Sequence, residues 1–447
     1  MPSTVAVVRW SGGPVVRRVD ASGQTLPMPP QRSEASVVAF LAFLGVTAAF
    51  GVDASLPAFG EIRPDVGLDP GSNRITLMIT VYLIGNALGQ VLCGPFADRF
   101  GRAPVLRVGL VIAALGIVGT ISSQGLPTLL ASRLLWGLGN GAPTNMRATV
   151  ARDLYLGDHM ARVVSRVMGF FLLGPIFVPL IAEGILALGS WRAVFTLGLA
   201  LAGVGTVWSL RFGETLDPVD SRPLGWAATG EAFNQIFKNR TTVGYLVALT
   251  FTGAAFFIWL GSSQLVFDLV YGRADQFAVM FSASGVVAAV GFFSVGWFIN
   301  RYGAHRVAVT SIGMVLVLNI ALVALVARGG GQPSFWGWFI LLTASNVFLS
   351  MVVPTGLALA LRPLGSIAST AAGVIGACSM AGSAVLAALV DTHISTTITP
   401  MAVGYLLYGT LALAGALWAR PRGGGHGGDA DSGAGFHADG PTPSSFA

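Results

Sequence analysis

The sequence predicts an all-α integral membrane protein: twelve transmembrane helices in two pseudo-symmetric bundles of six. Three observations lead there. Of 447 residues, 53% are apolar and only 10% are Asp, Glu, Lys or Arg, against about 25% charged in an average soluble domain. The apolar residues fall in continuous runs of membrane length, not in the short alternating stretches of an outer-membrane barrel. A charged, glycine-punctuated motif also occurs twice, at corresponding places in the two halves.

The first copy of that motif is Gly94-Pro95-Phe96-Ala97-Asp98-Arg99-Phe100-Gly101-Arg102. Ile75 to Cys93 before it and Val108 to Ala131 after it carry no charged side chain. A charged hairpin between two such runs belongs at a bilayer surface. The other elements follow from that point.

Residues 1–34 read as a polar, disordered lead-in, with Pro27, Pro29 and Pro30 opposing a helix. They lack the compact apolar core of a signal peptide, so the first apolar run is expected to remain as a span. A bilayer core of about 30 Å calls for about 20 residues per helix. In the first bundle (35–210) the runs of that length are 37–59, 75–95, 105–123, 127–150, 164–187 and 192–210. A polar linker, 211–242, separates them from the second bundle (243–419), with 243–264, 276–299, 307–327, 335–360, 367–390 and 401–419. The tail, 420–447, is mostly Gly, Asp, Ser and Pro and is expected to be disordered.

The basic residues set the expected orientation. With both termini and the even-to-odd loops on one side, nineteen of the 26 Lys and Arg residues lie there. Arg63, Arg74, Arg192, Arg273 and Arg328 lie opposite, and Arg133 and Arg147 fall within a span. The positive-inside rule then places both termini in the cytoplasm of a cell membrane, which requires an even number of spans. The net charge of +6 is scattered over short loops, as topology signals are, and does not suggest nucleic acid.

The motif returns 202 positions later as Gly296-Trp297-Phe298-Ile299-Asn300-Arg301-Tyr302-Gly303, with Asn300 where the first copy has Asp98. The offset joins the loop after the second span to that after the eighth, as duplication of a six-helix unit requires.

The Gly94–Arg102 segment resembles the signature loop of the major facilitator superfamily, Gly-x-x-x-Asp-Arg-x-Gly-Arg. Further segments resemble its twelve-span drug:proton antiporters, particularly the bicyclomycin- and chloramphenicol-resistance exporters. These are Asp53-Ala54-Ser55-Leu56-Pro57-Ala58, Arg133-Leu134-Leu135-Trp136-Gly137-Leu138-Gly139, Gly174-Pro175 with Pro179, and Trp191-Arg192-Ala193-Val194-Phe195. The likeness runs from about residue 37 to 419 and implies the major facilitator fold.

Asp53 is a carboxylate at membrane depth, where acids mark proton or substrate paths. The bland reading is a hydrated helix end before Pro57. Arg133 needs an acidic partner or a wet cavity. The resemblance implies that it acts in proton transfer, whereas a structural salt bridge would be the simpler role. Glu183, eight residues after Pro175, is a third candidate for proton coupling, unless it merely pairs with Arg192. Gly94, Asp98, Arg99, Gly101 and Arg102 are expected to form a conformational gate with Arg147, Arg152 and Asp153. Gly174, Pro175 and Pro179 should kink the fifth span. Tyr82, Asn86 and Gln90 share one helix face; with Asn140, Trp259 and Asn346 they either line a substrate cavity or bond helices together.

The expected function is export of small amphipathic drug-like compounds, phenicol-type antibiotics among them by resemblance, in exchange for protons. A proton-coupled uptake symporter for a small metabolite is the alternative. His159, His305, His393, His426 and His437 lie far apart in loops or the tail, without the spacing of a catalytic or metal cluster. No phosphate-binding loop is present. An enzyme, a cofactor or a metal is therefore not expected; the partners are substrate, protons and lipid, and the chain is expected to act as a monomer.

Overall fold

The computed structural model describes residues 7–10, 13–16, 33–155, 157–171, 173–216, 226–394 and 396–419. Most of the expected N-terminal lead-in, part of the linker and the tail from 420 onward lie outside these residues. A small antiparallel hairpin pairs Val7–Trp10 (β1) with Gly13–Val16 (β2). All the other elements among the described residues are helices.

The first half contains α1 (Glu34–Asp53), the short α2 (Phe59–Asp65), α3 (Leu77–Phe100), α4 (Arg102–Ile121), α5 (Leu126–Leu154), α6 (Gly157–Phe171), α7 (Leu173–Leu186) and α8 (Trp191–Phe212). After α9 (Trp226–Lys238) in the linker come α10 (Arg240–Leu265), α11 (Phe277–Tyr302), α12 (Ala304–Arg328), α13 (Phe335–Leu361), α14 (Ala368–Asp391) and α15 (Thr399–Trp418). Helix starts follow the side chains available: Ser33 accepts from the Ser36 N–H, and Asn239 accepts from the N–H groups of Thr241 and Thr242.

Among the described residues, eleven helical segments are long and apolar enough to cross a membrane, with α6 and α7 contributing one between them. The helix expected as the fourth span, α5, is not among them. At 29 residues it is about 43 Å long, but Arg133, Asn140, Asn145 and Arg147 dilute its apolar side chains. It packs on α3, α4 and α1, so these polar groups face protein. α4 shows the opposite face of the arrangement: Val108, Val111, Leu115 and Val118 form an outward stripe, each 45–59% exposed. Such a stripe suits acyl chains.

The charged motif is less of a loop than its composition suggests. α3 continues through Asp98 and Arg99 to Phe100, and α4 begins at Arg102. The whole reversal falls on Gly101, at φ 99°. Its counterpart Gly303, at φ 80°, joins α11 to α12 in the same way. Both angles lie where a Cβ is strained. Below, the two faces of the bundle are called the Arg102 end and the Trp191 end.

Candidate functional site

Asp53 is the last residue of α1 and is 3% exposed. Gly174 packs against it and Ala49, so the opening of α7 approaches the carboxyl because residue 174 has no side chain. No ion pair reaches Asp53 among the described residues. The acid is enclosed, not the hydrated helix end that its position before Pro57 would have permitted.

Arg133 is fully buried in α5, and no acid pairs with it among the described residues. Its Nε donates to the Met78 carbonyl at 3.2 Å and its Nη2 to the Gly51 carbonyl at 2.5 Å. At the end of α1 the Ser55 N–H bonds to Val52 instead of Gly51, which leaves the Gly51 carbonyl available. The guanidinium therefore caps the negative end of α1. Tyr82, Trp136 and Phe195 surround it, their ring centroids 4.9, 4.7 and 5.8 Å away.

The α3 stripe is real, and its hydrogen bonds serve helix packing. Tyr82 donates to the Ala48 carbonyl and accepts from Asn140, which also donates to the Thr47 carbonyl. Asn86 donates to Thr144, and Gln90 to Asn86 and toward the Met380 sulfur of α14. Asn145 donates to the Gln90 carbonyl. These bonds tie α3 to α5 and, through Gln90, one half to the other. Trp259 is enclosed in the second half, stacked on Phe281 at 5.9 Å and flanked by Trp338 and Phe339. Asn346 is buried, and neither of its amide atoms has a hydrogen-bond partner among the described residues.

At the Arg102 end, the Arg102 guanidinium bonds Asp98 at 2.5 Å and Asp153 at 2.9 Å, with Arg152 3.9 Å from Asp153. Arg99 is exposed at the end of α3, and Gly94 sits within that helix. Arg147 does not join this cluster. Five residues before Arg152 on a helix it points elsewhere, with its guanidinium over the Phe171 ring at 4.7 Å and against Gly45.

Pro179 lies inside α7, where it cannot donate to the Pro175 carbonyl. That carbonyl faces Gly285 of α11, and the adjacent Ile176 carbonyl accepts from Ser282 at 2.6 Å. The Gly174-Pro175-Pro179 motif thus builds a contact between the halves. Glu183 is half-buried, and Arg192 is not its partner. Arg192 pairs with Asp65 at 2.6 Å.

Three further features lie outside the set the sequence suggests. Glu214 receives the main-chain N–H groups of Arg102 and Ala103 at 2.8 and 3.1 Å and so caps α4. Arg63, 2% exposed, reaches across the halves to Asp268 and Gln264, both at 3.3 Å. Asp391 closes α14, 2% exposed, and accepts from Ser262 at 2.5 Å. The last of these had a visible signal: like Asp53, Asp391 is an acid at the end of an apolar run.

Residues 41–387 match the family model of the Major Facilitator Superfamily. The chain belongs to that superfamily and is a multi-pass membrane protein of its transporter fold. It is 28% identical over 380 residues to the bicyclomycin resistance protein homolog of Haemophilus influenzae, covering 84% of this chain and 93% of that one. To multidrug resistance protein D of Escherichia coli it is 26% identical over 336 residues, 75% and 83% of the two chains. Among solved structures, a D-xylose–proton symporter superposes with a TM-score of 0.69 over 86% of this chain and 97% of that one, at 15% identity. A POT family transporter in complex with 5-aminolevulinic acid gives 0.66 over 86% and 95%, at 14% identity. At such identities the structural likeness is one of fold.

Proposed function

We propose that this chain exports small amphipathic drug-like compounds in exchange for protons, by alternating access between its two halves. The observation that carries the reading is Asp53: an enclosed carboxyl, without an ion pair among the described residues, against the start of α7, a helix that contains Pro179. A buried carboxylate without a counter-ion is costly, and a proton removes that cost. Motion of α7 against α1 would expose the group and allow the proton to exchange. Arg133 contributes a fixed positive field nearby, and Glu183 a second acid on α7. Support for export comes from the relatives named for bicyclomycin and multidrug resistance.

In this reading the Arg102 end faces the cytoplasm, as the distribution of arginines favours, and both termini lie there. Asp98, Arg102, Asp153 and Arg152 form the cytoplasmic latch. Asn346 offers substrate an unsatisfied amide, and Tyr82, Asn86, Gln90 and Asn140 shape the wall behind it. Phenicols are the substrate class to try first. The chain acts as a monomer because each half supplies one side of the path.

Everted membrane vesicles carrying an imposed proton gradient test the reading, with chloramphenicol as probe. The expected result is a partial collapse of the gradient on addition, lost in Asp53→Asn. An undisturbed gradient together with normal transport by Asp53→Asn overturns it.

A further inference from the structure

Asp391 lies in the second half, on α14, apart from the Asp53 carboxyl of the first. It is as deeply enclosed as Asp53, accepts one hydrogen bond, from Ser262 of α10, and its other oxygen lies against Gly261. Its surroundings are weakly polar. On α15 the Tyr405 hydroxyl is buried without a hydrogen-bond partner among the described residues, and that of Tyr408 donates to the Leu386 carbonyl. His393, two residues on, is exposed and bonds the Leu389 carbonyl.

Two chain segments lead from the Asp391 carboxyl to the contacts that close the Trp191 end: that of its partner Ser262 and its own. Two residues beyond Ser262, Gln264 accepts from Arg63, and Asp268 pairs with it. Three residues beyond Asp391, the Ile394 carbonyl accepts from Asn73 of the first half at 2.7 Å. The Ile394 N–H in turn bonds the Asp391 carbonyl. The carboxyl therefore sits directly behind a clamp made from two chain segments, and both must move when the halves part at this end.

We propose that Asp391 is a proton-binding site of the second half, to which the Arg63 clamp controls access. The proposal rests on the proton-coupled reading above. With the clamp open, the carboxylate takes a proton from water and becomes the neutral acid. With the clamp closed, the acid is sealed beneath Ser262 and Gly261. Only a proton is transferred, so no co-reactant is needed. Proton load and the state of the Trp191 end are then linked equilibria.

The test uses full-length protein in lipid nanodiscs, with Cys93 and Cys378 replaced by serine. Spin labels at Asp69→Cys and Ala274→Cys, both exposed, report the distance between the halves at the Trp191 end. The expected result is a pH-dependent shift between a shorter and a longer distance. Asp391→Asn should lose that shift. Ser262→Ala, which keeps the carboxyl, should displace its midpoint by about one pH unit, as loss of a hydrogen bond to a charged group would. A shift with unchanged midpoint in both variants overturns the inference, as does a distance insensitive to pH in the parent protein. If Asp53→Asn abolishes the shift and Asp391→Asn leaves it intact, the inference fails while proton exchange stands. If the Asp391-dependent shift is present but chloramphenicol moves no protons in vesicles, the export reading fails instead.

Discussion

Arg63 and Asp268 form an ion pair at 3.3 Å between the two halves, with the Arg63 side chain 3% exposed and that of Asp268 31%. Burial of the arginine makes the pair unlike a solvent-screened surface bridge. Arg63 also donates to Gln264 and to the Pro70 carbonyl, so one guanidinium joins α2, the segment after it and the end of α10.

Removing either partner should weaken closure at the Trp191 end. Arg63→Ala and Asp268→Asn are each expected to raise the reactivity of a cysteine placed at Ser263, a buried position beside the clamp, toward a membrane-impermeant thiol reagent. The double variant should resemble the singles, with a coupling of about 1–2 kcal/mol in a thermodynamic cycle. Fully additive effects would show that the pair does not act as one contact.

The two copies of the glycine-punctuated motif are unequal. Asp98 bonds Arg102, whereas Asn300 is exposed on α11. Asp98→Asn is therefore expected to slow transport much more than Asn300→Ala, with both proteins reaching the membrane in similar amounts. Equal transport rates would remove the asymmetry.

Asp65 supplies a pH dependence outside the spans. Hydrogen bonds from the Trp191 indole and from Arg192 hold its carboxyl below the ordinary carboxylate range. A lowered value in the folded state means that the contribution is present above the unfolded value, about pH 3.9, and fades as pH falls through the folded value. Both partners of the ion pair are more than a third exposed, so the effect should be small. Thermal unfolding of Asp65→Asn in detergent should show a slightly lower Tm at pH 7 and a difference that closes in strong acid. A difference that widens in acid would contradict the assignment.

Arg133→Lys keeps the charge but loses the planar fork that reaches both the Gly51 and Met78 carbonyls. A loss of about 2 kcal/mol is expected, measurable as a fall in Tm. An unchanged Tm would mean that the two carbonyls are equally well served by an ammonium group.

The membrane class, the halves and the repeat were legible because each follows from side-chain chemistry along the chain. Partners were not. Arg133 announced itself as a buried cation, but the acceptor that satisfies it is a carbonyl, which every residue possesses and no composition reveals. Arg147 looked like a member of the Arg152–Asp153 cluster by proximity in sequence, and helix rotation sends it to Phe171. Glu214 lies 112 residues from the N–H it caps, and Arg63 lies 205 from Asp268. Such pairings arise when helices meet in space, and local periodicity is silent about them.

The bond between Arg133 and the Gly51 carbonyl also bears on inheritance. An acid paired with an arginine can be exchanged by mutation, and a lost arginine can then be compensated by neutralising its partner. A main-chain oxygen offers no such route, since substitution at residue 51 changes the side chain and leaves the carbonyl in place. Revertant screens begun from a position-133 variant should therefore return the original codon, or changes in the surrounding aromatic residues Tyr82, Trp136 and Phe195, and no charge swap.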